Sequence, residues 1–95
     1  MEKIKSYLGL ANNAGYLIIG SDNLKNYSKK LYLVLIDKTA QKNSQKQATK
    51  YKNLGIDVFE VENLAALSNL TNCKIVGIKN KGISDQIKNI LIKEN

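Results

Sequence analysis

The stretch Ile19-Gly20-Ser21-Asp22-Asn23-Leu24-Lys25 holds residue types that could do chemistry through the backbone. A glycine lets an external group approach the main chain closely. A helix capped by Ser21 would present first-turn N–H groups, unpaired within the helix and at the positive end of its dipole, to a phosphate. Lys25, Lys29 and Lys30 would follow on the same element as counter-charge. Against this, Asp22 in the first turn repels an anion, and Ser21 can satisfy one free N–H itself. On these residues alone a plain N-cap outweighs an anion site. The stretch is not a P-loop, and Gly15 and Gly20 are too far apart for a dinucleotide fingerprint.

Other chemistry is scarce. Histidine is absent, which removes the usual general base and the commonest metal ligand. Cys73 opens an apolar run with no histidine to activate it, so a packed thiol is expected rather than a nucleophile. Asp57, Glu60 and Glu62 lie close in sequence, and strand alternation puts Glu60 and Glu62 on one face. That pairing reads as a solvated edge rather than a metal site. No catalytic residue, metal or cofactor is expected.

The formal charge is +7, with fifteen basic residues, all lysine, against eight acids. Such an excess suits an anionic partner, nucleic acid before a membrane surface. A lysine-rich genome would write the same bias without function. Without arginine, the commonest bidentate contact to guanine is missing, so phosphate contacts, backbone donors and shape must carry recognition. Ninety-five residues suit one domain, 1–95, and 43% apolar residues suffice for one core. No apolar run nears the roughly 20 residues that cross a bilayer. The opening residues lack the apolar stretch of a signal peptide, and one thiol fits a reducing compartment. A cytoplasmic monomer is expected.

Periodicity supplies the elements. Ile4, Leu8 and Ala11, with Tyr7 beside them, recur at helical spacing up to Gly15. Residues 16–20 read as a strand, followed by a helix capped by Ser21 and running to about Lys29. Residues 31–37, LYLVLID, form a near-continuous apolar run, as in a central strand buried on both faces. A largely solvated helix over 40–54 turns Ala40, Ser44, Ala48 and Tyr51 inward and leaves Lys42, Lys46 and Lys50 outside. A strand over 56–61, a short helix from Glu62 to about Leu70, a strand over 73–78 and a helix after Gly82 complete the chain. This alternation predicts an α/β fold, a three-layer α/β/α sandwich with a central four-stranded mixed sheet.

The phrase LGLANNAGYLIIGSDNL resembles the opening of the YlxQ/YbxF proteins, small bacterial members of the ribosomal L-seven-Ae-like, kink-turn RNA-binding superfamily. The likeness continues through LYLVLIDKTAQKNS, VENLAALS and KIVGIKNKGISDQI, so it spans nearly the whole chain. Each motif is weak singly; their order and spacing are more specific together. The resemblance implies the same sandwich and RNA binding through two elements. One is the start of the second helix, Gly20, Ser21, Asp22, Asn23 and, one turn on, Asn26, which Lys25, Lys29 and Lys30 would join as the counter-charge read above. The other is the loop from Val61 to Ala66, with Glu62, Asn63, Ala65 and Ala66 as contacts.

Kink-turn binders of that superfamily carry G-x-N-E-x-x-K at the helix start. Here Asp22 stands where Asn would be, Asn23 where Glu would be and Asn26 where Lys would be. The lysine has moved to position 25, about 100° around a helix. Ser68 replaces the glycine of the L-G helix. The implied function is non-catalytic, ribosome-associated binding of a structured, kink-turn-like RNA, ribosomal or other, with ribosomal proteins as neighbours. The alternative is a protein–protein adaptor that kept the fold and lost the RNA surface. An exposed apolar patch around Leu64 to Leu67 would favour that adaptor.

Overall fold

The computed structural model describes residues 2–93. In chain order it contains α1 (Glu2–Asn13), β1 (Leu17–Ile19), α2 (Ser21–Asn26), β2 (Leu33–Asp37), α3 (Lys42–Asn53), β3 (Asp57–Val61), α4 (Leu64–Ser68), β4 (Ile75–Ile78) and α5 (Lys81–Lys93). The sheet runs in the order β1-β4-β2-β3. β4 pairs antiparallel with β1 and with β2, whereas β2 and β3 are parallel. Strands β1, β2 and β3 therefore all run one way, and their carboxyl ends share one end of the sheet.

Apolar spacing decides which helix covers which face. Ile4 and Leu8 of α1, Leu64 of α4, and Ile87 and Leu91 of α5 pack on Leu33, Leu35, Val76 and Ile78. Leu24 of α2 and Ala48 and Tyr51 of α3 pack on Val34, Ile36 and Ile75 from the other side. These are the three expected layers. The interior strands β2 and β4 are buried along their whole length, as the near-continuous apolar runs require. Helix α3 buries little besides Ala48 and Tyr51. It is tied down instead by the Tyr51 hydroxyl, which donates to the Leu24 carbonyl at 2.7 Å.

Gly77 lets α2 sit close to β4, because a Cβ there would lie 2.7 Å from Leu24 Cδ2. Leu24 is wholly buried, so truncating it to alanine would cost about 2–5 kcal/mol and unseat α2 first.

Several expected boundaries move. Ser21 is the first helical residue of α2 and caps nothing; Gly20 is the N-cap, at φ 86° and ψ 155°. The Gly20 N–H is held by the Ile75 carbonyl and its own carbonyl already accepts from Leu24, which starts the helix one residue earlier. Tyr27 is extended and ends α2 at Asn26, so Lys29 and Lys30 lie beyond it. Helix α4 shrinks to Leu64–Ser68 because Asn63 caps it from a left-handed conformation and accepts from the Ala66 N–H. Gly82 lies inside α5, and Asn80 caps that helix through Oδ1 to the Ile83 N–H at 2.9 Å. Strand β4 begins at Ile75, two residues after Cys73.

Candidate nucleic-acid interface

The carboxyl ends of parallel strands are where open α/β sheets place their ligand crevices. Four segments meet there. The Gly20 N–H donates to Ile75 O at 3.0 Å, Asp37 N–H to Lys74 O at 2.8 Å, and Lys38 N–H to Val61 O at 3.0 Å. Both elements expected from sequence, the segment led by Gly20 and the loop from Val61 to Ala66, thus start at one end of the molecule, while Asn26 closes α2 beside Tyr27 and the groove at the other end. They do not touch: β1 and β3 are opposite edges of the sheet, about 14 Å apart at roughly 4.8 Å per strand. The gap is filled by Lys74 and by Asp37, Lys38 and Thr39.

Asp37 organises that rim. Its side chain is only 4% exposed. Oδ1 accepts from the Thr39 hydroxyl at 2.7 Å and from the Thr39 N–H at 2.8 Å. Oδ2 accepts from the Leu64 N–H at 2.8 Å, where α4 begins. Lys74 Nζ donates to Thr39 Oγ1 at 2.8 Å and lies 3.9 Å from the carboxylate. The Thr39 hydroxyl, the Thr39 and Leu64 N–H groups and Lys74 together hold the carboxyl down at about 2, against the opposing effect of burial. Asp37 therefore stays ionised and anchors two loops and a lysine.

On the α2 side, Ser21 is the meeting point of two shallow concavities. One, of about 510 Å³, also touches Thr39, Lys42, Asn43 and Lys74. The other, of about 220 Å³, touches Asp22, Lys25, Asn43 and Lys46. Asn23 Nδ2 reaches back to the Ile19 carbonyl at 2.7 Å, which commits one of its two donors to the turn. Asp22, Asn23, Lys25 and Asn26 are all exposed. Helix α2 has only six residues, less than two turns, so the anion site imagined at its start has little helix behind it.

Around α4, Glu62 is 80% exposed at its side chain and pairs with Lys38 at 3.2 Å; it lies past the end of β3, so Glu60 and Glu62 do not share a strand face. Asn63 and Ala66 are exposed and Ala65 is partly covered. Ser68 is buried and donates to the Leu64 carbonyl at 2.8 Å, which satisfies its hydroxyl. Lys29 and Lys30 are not part of this end. They line a groove with Tyr32 and Asp57, at the start of β2 and β3.

Charge is distributed unevenly between the layers. Between Asp22 and Asp57 the chain carries eight lysines and a single acid, the buried Asp37. The ion pairs Lys81–Asp85, Lys88–Asp57 and Lys88–Asp85, at 2.7, 3.0 and 3.4 Å, all involve α5, in the other layer. Sequence reasoning missed Thr39, Lys74, Asn43 and the part played by Lys42 and Lys46. The acid-free run from Lys38 to Ile56 was the available signal. Lys74 had none, because only the sheet order brings it beside Asp37.

Cys73 is buried, and burial raises its thiol pKa. No group of three or more histidine, cysteine or acidic side chains among the described residues is placed to hold a metal. No helix among them is long and apolar enough to cross a membrane.

No protein-family model and no curated protein matches the sequence. The fold is similar to a solved structure described as a protein with unknown function from Bacillus halodurans C. That likeness has a TM-score of 0.80 at 24% identity and covers 95% of this chain and 97% of the other. The likeness establishes the α/β sandwich and carries no activity with it.

Proposed function

We propose that this chain is a non-catalytic RNA-binding protein. On this reading it is a YlxQ/YbxF-like member of the L-seven-Ae-type superfamily, cytoplasmic and ribosome-associated, and it holds a structured, kink-turn-like RNA. The observation that carries the proposal is the segregation of charge. A compositional bias would scatter lysines among acids over the whole surface. Here eight lysines fall in one stretch of chain whose one acid is buried, while Asp57 and Asp85, at β3 and on α5, are paired with Lys81 and Lys88. The contact surface is the carboxyl end of β1–β3, with Gly20 to Asn23, Lys25, Thr39, Lys74 and Glu62 to Ala66, extended by Lys42 and Lys46. Phosphate contacts supply affinity, and the bent shape of the RNA supplies selectivity. The adaptor alternative called for an exposed apolar patch at Leu64 to Leu67. Leu64 is instead fully buried, and the exposed large apolar residues, Leu10, Tyr16, Leu54 and Ile92, lie elsewhere.

The test is a pair of double variants of equal charge change, Lys42→Glu/Lys46→Glu and Lys3→Glu/Lys93→Glu, assayed for binding to a structured RNA by fluorescence anisotropy. Only the first pair should abolish tight binding. If about five lysines meet phosphates, the wild-type slope of log K against log salt should be about −3.5 to −4.5. Equal losses from both pairs, or a flat salt response, would refute the assigned surface.

A further inference from the structure

At the amino-terminal ends of β2 and β3, opposite the proposed interface, lies a groove of about 560 Å³. Three of the five tyrosines in the chain, Tyr27, Tyr32 and Tyr51, line it, as do Lys29, Lys30 and Lys50. Tyr51 is buried and occupied with the Leu24 carbonyl, but Tyr27 and Tyr32 are only partly covered. Leu54, 66% exposed, adds an apolar wall. The one acid on the rim, Asp57, is already bonded to Lys88 at 3.0 Å. Lys30 Nζ stands 5.1 Å from the centre of the Tyr32 ring and Lys79 Nζ 6.0 Å from that of Tyr27. In water such contacts are weak enough for a flat π-system to displace them.

Exposed aromatic faces interleaved with lysines are the means by which proteins hold single-stranded nucleic acid: bases stack and ammonium groups follow the phosphates. The groove is also connected to the interface. Lys42, Lys46 and Lys50 recur every four residues on α3, a stripe about 12 Å long. It begins beside Ser21 and ends in the groove. An acidic peptide would use the lysines but has no need of the rings.

The geometry points to a second subsite: the Tyr27–Tyr32 groove binds a single-stranded segment of nucleic acid, stacking a base on Tyr32 with Lys29, Lys30 and Lys50 on its phosphates. This rests on the reading that the α2–α3 layer receives RNA, and it adds the single-stranded segment that leaves the structured part along α3.

The test measures anisotropy of a labelled short oligouridylate, which cannot fold, and separately of a blunt structured RNA. Both are titrated with wild type, Tyr32→Leu and Lys29→Gln/Lys30→Gln. Tyr32 is outside both core clusters, so its loss should leave the fold intact, which circular dichroism checks; the lysine pair is exposed and serves if it does not. Each variant should weaken oligouridylate binding about fivefold or more and leave the blunt RNA unchanged. Polyphosphate should compete poorly for Tyr32-dependent binding. No oligouridylate binding, or equal binding by wild type and both variants, would overturn the subsite. If blunt RNA still binds, that failure leaves the proposed function standing. If blunt RNA fails while oligouridylate binds through Tyr32, the subsite stands and the structured-RNA reading falls.

Discussion

Replacing Asp37 by asparagine removes one charge and one acceptor while keeping the shape, so its consequences can be worked from the structure. The native carboxyl is lowered from 3.8 to about 2, chiefly by the Thr39 hydroxyl and N–H, with help from the Leu64 N–H and Lys74. At about 1.36 kcal/mol per pK unit this is worth roughly 2 kcal/mol. Exposed Thr39 and Lys74 beside it admit solvent screening, which trims the figure to about 1–2 kcal/mol. The asparagine also cannot accept on both sides. Its NH₂ must face either the Thr39 donors or the Leu64 N–H, and a buried unmet donor costs about 1–3 kcal/mol. These effects overlap, so Asp37→Asn should lose about 2–3 kcal/mol in urea unfolding near neutral pH, or about 10–20 °C in Tm. The pH dependence has a definite sign. Because the folded value lies below the unfolded one, the ionised carboxylate contributes its full stability above about pH 4 and loses it as pH falls towards 2. The gap between wild type and variant should hold steady from pH 7 to about 4 and shrink below that. A loss under about 0.5 kcal/mol, or a gap that does not change down to pH 2, would refute the role given to Asp37.

Gly20→Ala has room for its methyl group but not for its backbone angles, which fall where glycine alone is comfortable; it should cost about 1–3 kcal/mol, read by thermal unfolding. Ser84 has a buried hydroxyl with no hydrogen-bond partner among the described residues, so Ser84→Ala should leave stability unchanged or raise it by up to about 1 kcal/mol; a clear loss would mean the hydroxyl is satisfied in solution. Cys73, buried and with its thiol pKa raised, should resist alkylation in the native protein at pH 8 and react at once in denaturant, as mass spectrometry would show.

Element order and layering were legible because apolar spacing is a local signal. Ile4, Leu8 and Ala11 can face one way only on a helix, and a strand with four successive apolar residues, Leu33 to Ile36, must be covered twice. Helix ends were less legible, because distant partners set them. Ser21 is a good N-cap by type, yet the Ile75 carbonyl fixes Gly20 and gives the glycine that place. Lys29 and Lys30 followed α2 in sequence, but the extended Tyr27 ended the helix and sent them to the opposite end of the sheet. The two segments expected to meet RNA do share one end of the molecule. What lies between them, Lys74 and the Asp37–Thr39 turn, depends on β4 threading between β1 and β2, and no local pattern announces that pairing.

The most direct test of the central claim compares binding of a standard kink-turn RNA with that of a straight duplex of matched length, each at two salt concentrations. The kinked RNA should bind more tightly, and affinity for both should fall steeply as salt rises. Binding to neither, or affinity indifferent to salt, would contradict it.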